Sequence, residues 1–308
     1  VFAPAGIRGP YARRAMTHAQ PDDRPRTVRL LVECRDRPGI VAAVTGFIRD
    51  HRGNIVYTDQ HTDRQADHFS MRLELDPASL DLGRDAFERA FAPIAGDFEL
   101  RWRLDWRTEP RKIAILVSRQ DHCLTDLLFR WRRRELEGEV ALVISNHERA
   151  RRWVESVGVP YHCLPVGPET KADQESRVAE LCDAAGVELL VLARYMQVLS
   201  PALVARYPSR VINIHHSFLP AFPGAKPYHR AFERGVKLIG ATSHYVTDEL
   251  DEGPIIAQAT APVDHRDTVD DLVRIGRDLE RVVLAQAVRL HLQDRVIVAG
   301  RRTVVFEK

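Results

Sequence analysis

From Val28 onward, hydrophobic and polar positions alternate in a regular way. Val28 to Cys34 is a strand-like apolar run, and Asp36-Arg37-Pro38-Gly39 is a turn. Ile40, Val41, Val44, Phe47 and Ile48 then recur at helical spacing until Gly53 stops the helix. Asn54 to Thr62 and His68 to Leu75 read as strands; in the second, Phe69, Met71, Leu73 and Leu75 alternate with polar residues. A helix carrying Phe87, Phe91 and Ile94 follows, and Phe98 to Trp106 alternates again as a last strand. The order βαββαβ, within about 80 residues, is the ferredoxin-like split arrangement.

Arg107 to Arg111, polar and proline-containing, reads as a linker. Beyond it the pattern predicts strands over Lys112–Ser118, Val140–Asn146, Pro160–Val166, Val187–Ala193 and Arg210–Ile214. Helices fall between them over Leu124–Leu136, up to Val154 and over Ala172–Ala185, with a last one over Thr268–Leu292 before a closing pair of short strands. Strands spaced by helices of this length imply an α/β, Rossmann-like, doubly wound and largely parallel sheet. The expected organisation is a disordered tail over 1–27, a small domain over 28–106, a linker over 107–111 and a catalytic domain over 112–308. The tail mixes Ala, Pro, Gly and Arg without periodicity. It is compatible with a transit peptide, and with a start-site artefact in which the residues before Met16 are not native.

Composition narrows the class. A formal net charge of +2 implies no general attraction to nucleic acid, and no apolar run has the length of a membrane span. Arg130, Arg132, Arg133 and Arg134 form a dense basic cluster that reads as a solvated helix face rather than a polyanion site. Cys34, Cys123, Cys163 and Cys182 are scattered, without zinc-site spacing, as expected of free thiols in a cytoplasmic protein.

The candidate chemistry lies between Val211 and Gln258. In an extended segment, Asn213 and His215 share one side. They stand at the carboxyl end of a strand, where open α/β sheets place their ligands. An amide can donate to a developing oxyanion, and an imidazole can transfer protons near neutral pH. Asp251 sits in the turn Leu250-Asp251-Glu252-Gly253-Pro254, where a carboxylate could tune the histidine and orient a water. Taken singly, each has a plainer reading: a cap, a satisfied histidine, a turn former.

Two resemblances carry the reading further. The junction Asp36-Arg37-Pro38-Gly39, with Gly53-Asn54 opening the second strand, resembles an ACT domain over Val28 to Trp106. That resemblance implies homo-oligomerisation and an amino-acid effector at Arg37, Gly39, Ile40 and Asn54, with glycine and methionine as first ligands to try; a loop that merely connects and dimerises is the alternative. Asn213-Ile214-His215-His216-Ser217-Phe218-Leu219-Pro220 with Pro223-Gly224, then Thr242, His244 and Val246 through Pro254, resemble the signatures of the folate-dependent formyltransferase superfamily. By that resemblance Asn213, His215 and Asp251 are the catalytic trio, and His216, Ser217, Gly224 and His244 stand near them. It also places Met196, Gln197, Val198 and Leu199, and Val246, Thr247, Asp248, Glu249 and Leu250, at the folate.

The substrate is then 10-formyl-tetrahydrofolate, with no cofactor or metal expected, and the formyl acceptor is the open question. A transformylase must hold a phosphate on a glycine-rich turn after its first strand. Here that turn is Ser118-Arg119-Gln120-Asp121-His122-Cys123, without glycine. His216 in place of proline, Lys226-Pro227-Tyr228 and the ACT-like domain in front resemble the deformylase branch, which releases formate and tetrahydrofolate. In that branch Asp251 would activate water directly or through His215, and Asn213 with protonated His215 would stabilise the oxyanion. Formyl transfer to phosphoribosylglycinamide and a non-catalytic amino-acid sensor are the two alternatives.

Overall fold

The computed structural model describes residues 27–167, 169–220 and 227–307. Residues 1–26 of the expected tail, and Gly224 with its turn, lie outside the described residues. The first unit runs β1 (Val28–Arg35), α1 (Ile40–Asp50), β2 (Asn54–Asp63), β3 (His68–Asp76), α2 (Arg84–Asp97) and β4 (Arg101–Asp105). Its sheet has the order β2-β3-β1-β4 with antiparallel neighbours. Val28, Leu30, Val32 and Cys34 enter one core with Val44, Phe47 and Ile48 of α1 and Phe87 and Phe91 of α2. Leu31 faces the other way, against Ile297 and Phe306. Both faces of β1 are therefore covered, which is why it reads as a continuous apolar run.

The second unit runs β5 (Arg111–Val117), α3 (His122–Arg132), β6 (Gly138–Ser145), α4 (Arg151–Ser156), β7 (Tyr161–Cys163), α5 (Lys171–Ala185), β8 (Leu189–Leu192), α6 (Pro201–Arg206) and β9 (Val211–His215). It continues with α7 (Pro227–Arg234), β10 (Leu238–Tyr245), β11 (Ile255–Pro262), α8 (Val269–Leu292) and a hairpin of β12 (Val296–Ala299) and β13 (Arg302–Val305). The seven-stranded sheet has the order β11-β10-β9-β8-β5-β6-β7. It is parallel from β9 to β7, whereas β10 runs antiparallel to both of its neighbours, β9 and β11. Strand order reverses between β5 and β8, so a crevice opens at their carboxyl ends. The α/β architecture and largely parallel sheet match expectation. Periodicity does not reveal β10, because seven of its eight residues are buried and no polar face alternates. α8 starts at a reciprocal cap in which the Thr268 side chain accepts from the Asp271 backbone and the Asp271 carboxylate accepts from Thr268.

A buried ionic seam joins the two units. Asp294, at the end of α8, accepts from Arg111 at 2.7 and 2.8 Å and from Arg103 at 2.7 Å. Arg72, fully buried on β3, donates to the main-chain carbonyls of Asp294 at 2.8 Å and Gln293 at 2.7 Å. Arg111 is thus the first residue of β5 and buried, although its charge reads as linker; Asp105 and Asp294 are what make the burial tolerable.

Candidate active site

Direct cross-strand partners share a face, and β9 pairs with β10 so that Asn213 faces His244 and His215 faces Thr242. The loop after β10 brings Asp251 over that face. Asp251 Oδ2 lies 3.2 Å from His215 Nδ1, and Oδ1 lies 3.6 Å from His244 Nε2. Asn213 Nδ2 lies 3.3 Å from His244 Nε2. The three residues singled out in the sequence therefore converge, and His244, expected only nearby, is the piece that ties amide to carboxylate.

The hydrogen bonds assign the rings. His244 Nδ1 is 2.9 Å from the Tyr245 carbonyl, so it carries the proton and donates. The Asn213 amide lies against Nε2 of the same ring, leaving the second N–H of that amide for a ligand oxygen. His215 Nδ1 donates to Asp251, and its Nε2 is buried without a hydrogen-bond partner among the described residues. Hydrogen bonds from His215 and then His244 hold the Asp251 carboxyl well below the usual carboxylate range, against a smaller opposing effect of burial.

Backbone geometry enforces this arrangement. Asp251 has φ 59°, a left-handed conformation that costs a non-glycine residue on the order of 1–3 kcal/mol. Two residues on, a Cβ on Gly253 would sit 1.7 Å from the Tyr245 carbonyl oxygen, so only glycine lets the loop close on β10. Arg194 and Met196, in the loop after β8, also have φ of 64° and 58°. Left-handed residues thus gather around one crevice.

Behind the face that carries Asn213 and His215 lies a polar group that motif reading did not find. His216 stacks on His215 with ring centroids 5.1 Å apart, and Tyr228 stands next at 6.4 Å. The Tyr228 hydroxyl donates to Glu280 Oε1 at 2.7 Å, and Glu280 Oε2 lies 2.7 Å from His122 Nε2 and 3.4 Å from Arg194 Nε. Arg194 also donates to Gln120 Oε1 at 3.0 and 2.7 Å. Burial, then the charges of Arg194 and His215, push His216 down to about 4. Burial alone would raise Glu280, yet the His122 hydrogen bond and the Arg194 charge prevail and lower it. A sequence signal for this group does exist: Gly276, one helical turn before Glu280, is a glycine because a Cβ there would lie 2.1 Å from the Tyr228 ring.

The remaining sites fall into place unevenly. Met196, Val198 and Leu250 expose large apolar side chains on the loops expected to meet folate, with Thr247, Asp248 and Glu249 also exposed. Gln197 is partly buried, whereas Leu199 and Val246 pack into the sheet core. Ser217 is buried, and its carbonyl accepts from Thr242 at 2.9 Å. In the first unit, Gly39 has φ 97°, the Arg37 guanidinium lies 4.7 Å over the Phe98 ring, Asn54 is exposed, and Ile40 is a core residue. His122, Cys123 and Glu280 place one potential metal ligand each within 4.8 Å of one another. Both Glu280 oxygens are already hydrogen-bonded and the Arg194 cation adjoins them, so the cluster is better matched to an ion-pair network than to a cation.

Comparisons with known proteins identify the family. The family model described as formyl transferase matches residues 111–288, and the ACT domain model matches residues 28–92. The chain is 50% identical over 280 residues to a formyltetrahydrofolate deformylase of Synechocystis sp., covering 91% of this chain and 98% of that protein. Among solved structures, it is similar to a formyltetrahydrofolate deformylase from Pseudomonas syringae (TM-score 0.89, 48% identity, covering 91% of this chain and 94% of that one). It is also similar to a glycinamide ribonucleotide transformylase from Symbiobacterium toebii (TM-score 0.59, 37% identity), which covers 64% of this chain and 95% of that one.

Proposed function

Because the chain belongs to the formyl transferase family, and within it to the formyltetrahydrofolate deformylases with their N-terminal ACT domain, we propose that Asn213, His215 and Asp251 carry out its hydrolysis of 10-formyl-tetrahydrofolate. The reaction adds water to the formyl carbon, breaks the bond to N10 and releases formate and tetrahydrofolate. The observation that carries the assignment of roles is the Asp251–His215 contact at 3.2 Å beside the Asn213 amide.

Asp251 orients the attacking water, and the Asp251–His215 pair takes its proton as one unit. The proton passes to the open Nε2 of His215, whose Nδ1 is already engaged by Asp251. The resulting imidazolium, through Nε2, and the free N–H of Asn213 then face the oxyanion. The same imidazolium returns the proton to N10 as that nitrogen leaves. Met196, Val198 and Leu250 offer apolar surface to the pterin and benzoyl rings, with Gln197 and residues 246–249 contributing polar and backbone contacts.

The ACT unit is read as a regulatory and oligomerisation domain, with an amino-acid effector near Arg37, Gly39 and Asn54. The enzyme is assigned to the cytoplasm, where it balances folate pools and supplies formate for purine synthesis. Incubation of the purified chain with 10-formyl-tetrahydrofolate alone tests the reaction. Rapid formate release without any amine is expected; release that awaits phosphoribosylglycinamide would overturn the hydrolase reading.

A further inference from the structure

A cleft of about 410 Å³ opens on α8 and the start of α3, walled by His122, Val273, Arg274, Arg277 and Arg281 together with Asp270 and Asp278. It is not the catalytic face. An unbroken file of side chains leads from it to the trio: His122 to Glu280 at 2.7 Å, Glu280 to Tyr228 at 2.7 Å, Tyr228 to His216, and His216 stacked on His215. Glu280 is 1% exposed and Tyr228 8%. The file is braced from the side by Arg194, whose guanidinium bridges Glu280 and the Gln120 side chain of the glycine-free turn after β5. Room for the Tyr228 ring exists only because residue 276 is glycine.

The two approaches to the formyl carbon are therefore unlike. Folate has the exposed apolar loops at Met196, Val198 and Leu250. A nucleophile from the opposite, α3–α8 side meets a mouth of mixed charge, where Arg274 is paired with Asp271 and Arg281 with Asp278, and behind it a closed polar wall. We propose that Tyr228, Glu280, His122 and Arg194 form a plug that splits an acceptor channel in two and restricts the attacking nucleophile to water. The inference rests on the deformylase reading above and deepens it: the trio activates the formyl group, and the plug decides what attacks it. With an amine, the nitrogen would bond to the formyl carbon, the N10–carbon bond would break, and the amine's proton would pass to N10. No oxidant or further reactant is required. The wall is what prevents this, through size and through the desolvation of any amine that replaced it.

Product partitioning tests the plug separately from hydrolysis. Purified full-length enzyme is given 10-formyl-tetrahydrofolate with a large excess of glycinamide, and formate and N-formylglycinamide are quantified together. Wild type and Tyr228→Phe, which keeps the ring, should yield formate almost exclusively. Tyr228→Ala should raise the ratio of formylated amine to formate about tenfold or more. A folded, active Tyr228→Ala enzyme with the wild-type ratio overturns the proposal. Should Tyr228→Ala fail to fold, His122→Ala at the mouth carries the test, with a rise of about threefold expected and an unchanged ratio counting against the plug. If instead wild type releases no formate without the amine, the hydrolase reading fails and the plug, which rests on it, falls with it.

Discussion

Asp251 and Asp294 are both aspartates in the left-handed region, with φ of 59° and 50°, and both hold nitrogen donors. Asp294 is fully enclosed in the seam between the units and is held by arginines and by hydrogen bonds to both oxygens. Asp251 is 25% exposed, its partners are imidazoles that can gain and lose protons, and it borders a His215 nitrogen without a partner among the described residues. A satisfied, enclosed carboxylate fixes one arrangement of two sheets. A half-open carboxylate with titratable partners is poised to exchange protons with something that enters.

The contrast predicts that activity and stability separate cleanly between the two residues. Asp251→Asn should lower acceptor-free formate release by about three to four orders of magnitude, as in other carboxylate–histidine pairs, while the urea midpoint hardly moves. Near-normal turnover in that variant would sink the catalytic assignment. Asp294→Ala leaves the buried Arg111 with only one of its two carboxylates, and should cost about 3–5 kcal/mol of unfolding free energy. Formate release per folded molecule should stay within about twofold. If both substitutions instead destroyed activity without affecting stability, the distinction between seam and site would be false.

One histidine in each region sharpens the comparison by pH. Burial, then Arg194 and His215, hold His216 down to about 4; burial, then Arg111 and Arg103, hold His291 down to about 3. Each is lower in the folded than in the unfolded chain, where the ordinary value is about 6.5. The stability they contribute is therefore whole above pH 6.5 and is lost as pH falls, because the unfolded chain takes up protons that the folded one refuses. Between pH 6.5 and 5 the loss should be about 2 kcal/mol for each group. Urea titrations at the two pH values measure it, and His216→Asn should remove its share. An undiminished slope in that variant would show that His216 is already charged in the native enzyme.

The candidate site was legible because β9 and the Asp251 turn each concentrate their chemistry in a few adjacent residues, and because glycine at 253 has a steric necessity that leaves a mark in the sequence. The seam and the plug were not. Arg29, Arg72, Arg103, Arg111 and Asp294 are scattered over most of the chain, and each alone reads as a surface charge. Glu280 likewise looks like one more acidic residue on an amphipathic helix; His122, Tyr228 and Arg194 come to it from three other segments. Local periodicity reports faces of single elements, whereas these clusters exist only once several elements have been packed. His244 stands between the two cases: it lay in a recognisable stretch, but its bonds to Asn213 and Asp251 depend on the register of β10 against β9.

The smallest predicted effect concerns the structure that touches both regions. The β12–β13 hairpin packs Ile297 against Leu31 of the first sheet, and Arg302 pairs with Asp63 of β2 at 2.6 Å. At its tip, Arg301 pairs with Glu252 at 2.7 Å, beside Asp251, and the Thr303 hydroxyl donates to the Ile255 carbonyl at 2.6 Å. The hairpin thus connects the ACT sheet to the loop that carries Asp251. Exposed ion pairs of this kind are worth roughly 0.2–1 kcal/mol, so Arg301→Ala should lower kcat by no more than about fivefold. The wild-type rate should fall toward that of the variant as salt is raised, since screening removes the same contact. Equal rates at low salt would make the tip a bystander. A loss confined to low salt would show that the position of Asp251 is set partly from the seam, and that the enclosed and half-open aspartates are not wholly independent.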